Sequence, residues 1–133
     1  QSYLMMKTYE KKYNITFDYI LRVRNDIIFK HPINFKDFLL DKLIIPNFHQ
    51  WGGINDRFAF GTRKMMNTYM NMYSNLLEMS KEHFKKYKKP LILKNAEYFA
   101  KINLENNNIP YLQQDNILFN RVRMDGNILP DSF

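Results

Sequence analysis

Residues 16–26 read TFDYILRVRND, and IIF follows at 27–29. β-branched and aromatic residues dominate the stretch, so it reads as a central strand of an apolar sheet. Under period-two alternation Phe17, Tyr19, Leu21 and Val23 share one face, while Arg22, Arg24 and Asp26 share the other. Unpaired charge inside a sheet is costly, so these three need compensation. An Arg–Asp network locking strands together would supply it. So would a site: an acid at a strand end, where α/β sheets bind ligands, can hold a hard divalent cation while the arginines bind phosphate or orient the carboxylate. Spacing alone leaves both arrangements open.

Working outward, Tyr3, Met6, Tyr9 and Tyr13 recur at helical spacing and predict an amphipathic helix over about 2–13. KHPINFKDFLLD is a loop leading to a short helix, KLIIP a short buried strand ending at Pro46, and DRFAFG another strand. Thr62 is placed to cap a helix with an apolar side of Met65, Met66, Tyr69, Met72, Tyr73, Leu76 and Leu77. A basic helical turn follows and stops at Pro90. Asn95 caps a further helix with Phe99, Ala100, Ile102 and Leu104 inward. IPYLQQ and NILFNRVR are strands, with a turn at MDGN. Arg121 and Arg123 then fall on a neighbouring or edge strand. Interleaved strands and helices argue an α/β fold with a mixed sheet, and no linker divides 1–133 into two domains.

The 133 residues are 45% hydrophobic and 16% aromatic, the composition of a globular domain with a core. No apolar run approaches the roughly 20 residues of a membrane span, and no secretory signal is visible. There is no cysteine. Disulfides, thiolate metal sites and a cysteine nucleophile are thereby excluded, and a cytoplasmic chain, or a soluble part of a larger protein, is expected. The first residue is Gln, which fits a fragment or a processed product. The net charge of +7 invites a nucleic-acid reading. Lysine outnumbers arginine 14 to 6, however, within a Lys/Asn/Ile/Tyr/Phe bias that AT-rich coding produces without selection for binding. The arginines at 22, 24, 57, 121 and 123 carry more information, because a planar fork is needed only where bidentate recognition matters.

The segment WGGINDRFAFG, residues 51–61, holds further candidates. Gly52 and Gly53 permit unusual backbone angles and close approach of a ligand. Trp51 offers a flat apolar face suited to a sugar ring or a base. Asp56 is either a general base near an acceptor hydroxyl or a turn residue paired with Arg57 or backbone amides. Glu97 sits in the first turn of a helix, where acids are common for dipole reasons alone. His31, His49 and His83 lack metal-ligand spacing, and His49, beside Trp51, is the one kept for the site. The lysines over 81–94 read as a solvated face. No P-loop, GxSxG, HExxH or GxGxxG is present.

Taken in order, the RVRND strand, WGGINDRFAFG, the Glu97 helix and ILFNRVRMDG resemble the catalytic region of GT-A-type nucleotide-sugar-dependent glycosyltransferases. The likeness is to a group in which an Arg-x-Arg-x-Asp strand replaces Asp-x-Asp, and it covers nearly the whole chain. It implies a GT-A-like mixed sheet flanked by helices, without the N-terminal nucleotide-binding units, and so a partial domain or a non-catalytic remnant as the alternative. It implies transfer of a sugar from a nucleotide diphosphate-sugar to a hydroxyl of a glycan or glycoconjugate. Asp26 would hold Mn²⁺ or Mg²⁺ at the diphosphate, supported by Arg22 and Arg24. Asn55 would lie at the donor sugar and Asp56 would be the base in an inverting reaction. His49, Trp51, Gly52 and Gly53 would line the acceptor side, with Glu97 touching acceptor or sugar. No specific nucleic acid is implied; a basic nucleic-acid-binding module is the competing class.

Overall fold

The computed structural model describes residues 2–38, 40–89 and 95–129. In chain order the elements are helix α1 (Ser2–Tyr13), strands β1 (Tyr19–Val23) and β2 (Ile27–Phe29), a 3-10 turn at Phe35–Asp37, and strands β3 (Leu43–Pro46) and β4 (Phe58–Thr62). Helices α2 (Arg63–Met70), α3 (Leu76–Tyr87) and α4 (Ala96–Asn106) follow, then strands β5 (Tyr111–Gln114), β6 (Phe119–Val122) and β7 (Ile128–Leu129). Four strands form one sheet in the order β1-β4-β3-β5, and three form a second, β2-β6-β7. β4 runs antiparallel to β1 and β3, whereas β5 runs parallel to β3. β1, β3 and β5 therefore end at one edge of the sheet, where β4 begins. The chain is a mixed α/β domain.

β3 is buried at every position and β4 at all but Thr62, because the larger sheet is covered on both faces. Leu43, Ile45 and Ala59 meet Met66 and Tyr69 of α2 and Ala100 and Leu104 of α4. Ile44, Phe58 and Phe60 point the other way, onto Phe38, Phe48, Ile117 and Phe119. Each fully buried side chain of this size contributes about 1.5–3 kcal/mol relative to exposure. α4 starts as the sequence suggests, with Asn95 Oδ1 accepting the Tyr98 amide at 2.9 Å. The MDGN turn joins β6 to β7, with Gly126 at φ 80°. β6 lies between β2 and β7, and Arg121 faces Ile27 across the first of those pairings.

Three expectations are corrected. β1 is not a central strand: among the described residues it lies at the sheet edge, with β4 its bonded neighbour. Its apolar face is also reversed. Ile20 is buried against the helices, while Tyr19, Leu21 and Val23 are 47%, 42% and 42% exposed. The strand ends at Val23, so Arg24 and Asp26 belong to a turn into the second sheet and not to a charged strand face.

The long apolar stripe is likewise broken. Residues 71–75 are a turn between α2 and α3, which rephases the helix and leaves Tyr73 and Leu77 exposed. Thr62 precedes α2 but makes no side-chain cap; the Arg63 amide instead donates to the Asp18 carbonyl at 2.8 Å. Pro90, expected to stop the basic turn, lies outside the described residues; α3 closes earlier, at Lys88 in the left-handed conformation. α1 is fastened by a buried Glu10, which pairs with Arg63 and accepts the Phe17 amide at 3.0 Å.

Candidate functional site

Because β1, β3 and β5 end together, the segments after β1 and β3 and the start of α4 converge at one edge, the place where α/β sheets bind ligands. The β3–β4 loop spans 47–57 and is built around Asn55. Asn55 is wholly buried; its Nδ2 donates to the Phe48 carbonyl and its Oδ1 accepts the Arg57 amide, each at 2.9 Å. The amide expected at a donor sugar is spent holding the loop. His49 (φ 51°), Trp51 (φ 46°) and Gly52 (φ 80°) all adopt left-handed backbone. Two bulky residues in that region store local strain, a feature that clusters at functional sites.

Gly53 has a different reason to be glycine. Its φ is ordinary, but a Cβ there would collide with the Glu97 carbonyl and the Tyr98 amide nitrogen. The neighbouring Ile54 amide donates to that carbonyl at 3.0 Å, and Asn95 Nδ2 donates to the Trp51 carbonyl at 2.9 Å. Loop and helix start are thus one unit, and the turn brings Trp51, 66% exposed, near the Glu97 helix start.

The charges of the site are arranged unequally. Arg24 grips both oxygens of Asp26, Nε to Oδ1 at 2.7 Å and Nη2 to Oδ2 at 2.6 Å. That hydrogen bonding holds the Asp26 carboxyl below its ordinary value and raises Arg24, with Asp56 and Glu97 adding smaller electrostatic contributions to Arg24. The turn is pinned by Arg24 N to Arg57 O at 3.0 Å and by Val122 N to Asp26 O at 2.8 Å. Arg22 donates to the Asp56 carbonyl and stacks over the Tyr69 ring, 5.8 Å from its centroid. It fixes the backbone of Asp56 and leaves the carboxylate alone. Neither Asp56 nor Glu97 has a side-chain partner among the described residues. Arg57 is buried, its Nη1 3.3 Å from His49 Nδ1 and its Nε without a partner among the described residues. The sequence marks Arg57 as an informative arginine and a pairing partner for Asp56 but not as a site residue; its burial is what the structure adds.

The expected cation does not fit this donor set. Both Asp26 oxygens are occupied by a guanidinium, and no group of three His, Cys, Asp or Glu side chains suited to a metal occurs among the described residues. A concavity of about 430 Å³ lined by Leu4, Met5, Thr8, Tyr9, Lys12 and Tyr13 lies along α1, away from these groups, and offers a helix face without convergent acids or bases. No helix among the described residues is long and apolar enough to cross a membrane.

The two tied carboxylates set an acid limit. Glu10 is lowered chiefly by its hydrogen bond from Arg63, Asp26 by that from Arg24. A carboxyl depressed in the folded state contributes stability above its unfolded value and loses it as pH falls through the folded one. Thermal unfolding midpoints are therefore expected to hold from neutrality to about pH 5 and to decline below about pH 4. In an Arg63→Gln variant the neutral-pH midpoint should fall and the acid-side decline should flatten. An unchanged acid profile would show that the Glu10 pair does not contribute. The more exposed Arg24–Asp26 pair is screened, so it adds less than about 1 kcal/mol.

A family model described as Domain of unknown function (DUF7796) matches residues 1–121, and the chain belongs to that family. No curated protein and no solved structure matches the chain.

Proposed function

We propose that this member of the DUF7796 family is a glycosyltransferase on a GT-A-like sheet, moving a sugar from a nucleotide diphosphate-sugar to a hydroxyl of a glycan or glycoconjugate. The observation that carries the reading is Asp56. Its backbone is pinned by Arg22, its carboxylate has no partner among the described residues, and it precedes β4 at the sheet edge where β1, β3 and β5 end. Glu97 supplies a second open carboxylate, and carboxylates that lack partners are acceptors for sugar hydroxyls. The exposed Trp51 ring offers those sugars a flat apolar face.

In an inverting transfer Asp56 takes the proton of the acceptor hydroxyl as its oxygen bonds the anomeric carbon. The bond from that carbon to the donor phosphate oxygen breaks, and the electron pair leaves with the diphosphate. The guanidinium groups at this edge offset the charge that develops there.

The test is the purified chain incubated with a panel of nucleotide sugars and glycan acceptors, with and without Mn²⁺, scored for glycosylated product. Asp56→Asn should lower the rate at least about a hundredfold at an unchanged melting temperature. Absence of product with every donor, or full activity in Asp56→Asn, would sink the reading. Donor binding without turnover would mark a non-catalytic domain.

A further inference from the structure

Arg57 differs from its neighbours. Arg24 is closed by a carboxylate, and Arg22 has a carbonyl, a hydroxyl and an aromatic face. Arg57 is only 8% exposed, yet among the described residues its side chain meets one imidazole nitrogen, and its buried Nε has no partner there. A guanidinium stays protonated in a protein, so His49 Nδ1 must accept in that contact and the ring proton sits on Nε2. The arrangement therefore supplies no counter-charge. Asp26 feels Arg57 only weakly and is already held through both oxygens. His83, another buried basic side chain, shows the contrast: Lys89 O and Tyr98 OH engage its two ring nitrogens at 2.9 and 3.2 Å.

A buried cation without an anion is among the costlier features a fold can keep. This one lies behind a loop with three left-handed residues, and no carboxylate among the described residues pairs with it. A planar fork with a free Nε–H is suited to two oxygens of a phosphate-type anion, and such an anion would supply the missing charge.

We propose that Arg57 is the anion-binding residue of the site, taking a phosphate-type oxyanion of the ligand and providing the neutralisation that Asp26, tied to Arg24, is not placed to provide through a divalent cation. The identity of that anion as a donor diphosphate rests on the glycosyltransferase reading; the anion chemistry of Arg57 does not.

The probe is inorganic pyrophosphate, titrated calorimetrically into the full chain in EDTA, with sulfate as the non-specific arm. Pyrophosphate is expected to bind without metal and more tightly than sulfate. Arg57→Gln should weaken it at least tenfold, and Arg57→Lys, which keeps the charge but not the fork, should fall between. Arginine Nε–H spectra of the unaltered chain provide a readout independent of how the variants fold: the Arg57 signal should shift on titration. No binding in EDTA, an unmoved Arg57 signal, or equal affinity in a folded Arg57→Gln variant overturns the proposal. Arg57-dependent pyrophosphate binding without sugar transfer would overturn the transferase reading alone. Sugar transfer with pyrophosphate binding indifferent to Arg57 would overturn this one.

Discussion

Alanine at position 53 is expected to destabilise the fold by about 3 kcal/mol or more, at or beyond the upper end of ordinary overpacking. The added methyl would meet the Glu97 carbonyl and the Tyr98 nitrogen, which are backbone atoms in the first turn of α4 and cannot swing aside as a side chain can. Either the loop or the helix start must move, and both routes break the Ile54 N to Glu97 O bond. Gly52 is the control. Its φ is +80°, but open space surrounds it, so alanine there meets only the left-handed backbone penalty of roughly 1–2 kcal/mol. Denaturant unfolding of the two variants separates the cases. Equal midpoints for Gly52→Ala and Gly53→Ala would mean that the helix start yields freely.

Tyr69→Ala is expected to cost about 3–5 kcal/mol, the range for truncating a large buried aromatic side chain. A typical domain has about 5–15 kcal/mol in all, so the variant should unfold at much lower denaturant. Tyr69 is wholly buried among the residues that join α2 to the sheet. That burial pushes its hydroxyl well above the ordinary range, so it stays a neutral partner for Arg22, 3.4 Å away. Its loss should therefore also loosen the hold of Arg22 on the Asp56 backbone. Tyr69→Phe keeps the ring and should cost about 1 kcal/mol. Tyr69→Ala with a midpoint matching Tyr69→Phe would refute the packing argument.

The contrast between these residues explains what could be read from the chain in advance. β3, β4 and the cap of α4 follow from local chemistry: an apolar run, an apolar run after a polar loop, and an asparagine three residues ahead of the amide it accepts. β1 is different. Alternation states that two faces differ but not which one the protein covers, and Ile20 lies inward only because α2 happens to be there. The break at 71–75 is silent for a similar reason, since Tyr73 and Leu77 continue the spacing of a stripe that the chain itself does not continue. At the site, Asp26, Asp56, Glu97 and the 49–53 loop are legible as separate motifs, while their arrangement is not. Nor are the bidentate Arg24–Asp26 grip, the internal use of Asn55 and the burial of Arg57, because each depends on where a neighbouring loop comes to rest.

The placement of β4 also orders events in time. β1 and β3 are not bonded to each other; each bonds to β4, in pairs such as Ile20 with Gly61 and Ile44 with Phe60. A nascent chain therefore carries two unsatisfied strands until residues 58–62 arrive, and closing β1 onto β4 means spanning the 34 residues 24–57. Such non-local closure is the slow kind of step in folding. The same segment that brings Asp56 and Arg57 to the sheet edge thus governs when the larger sheet can begin to assemble.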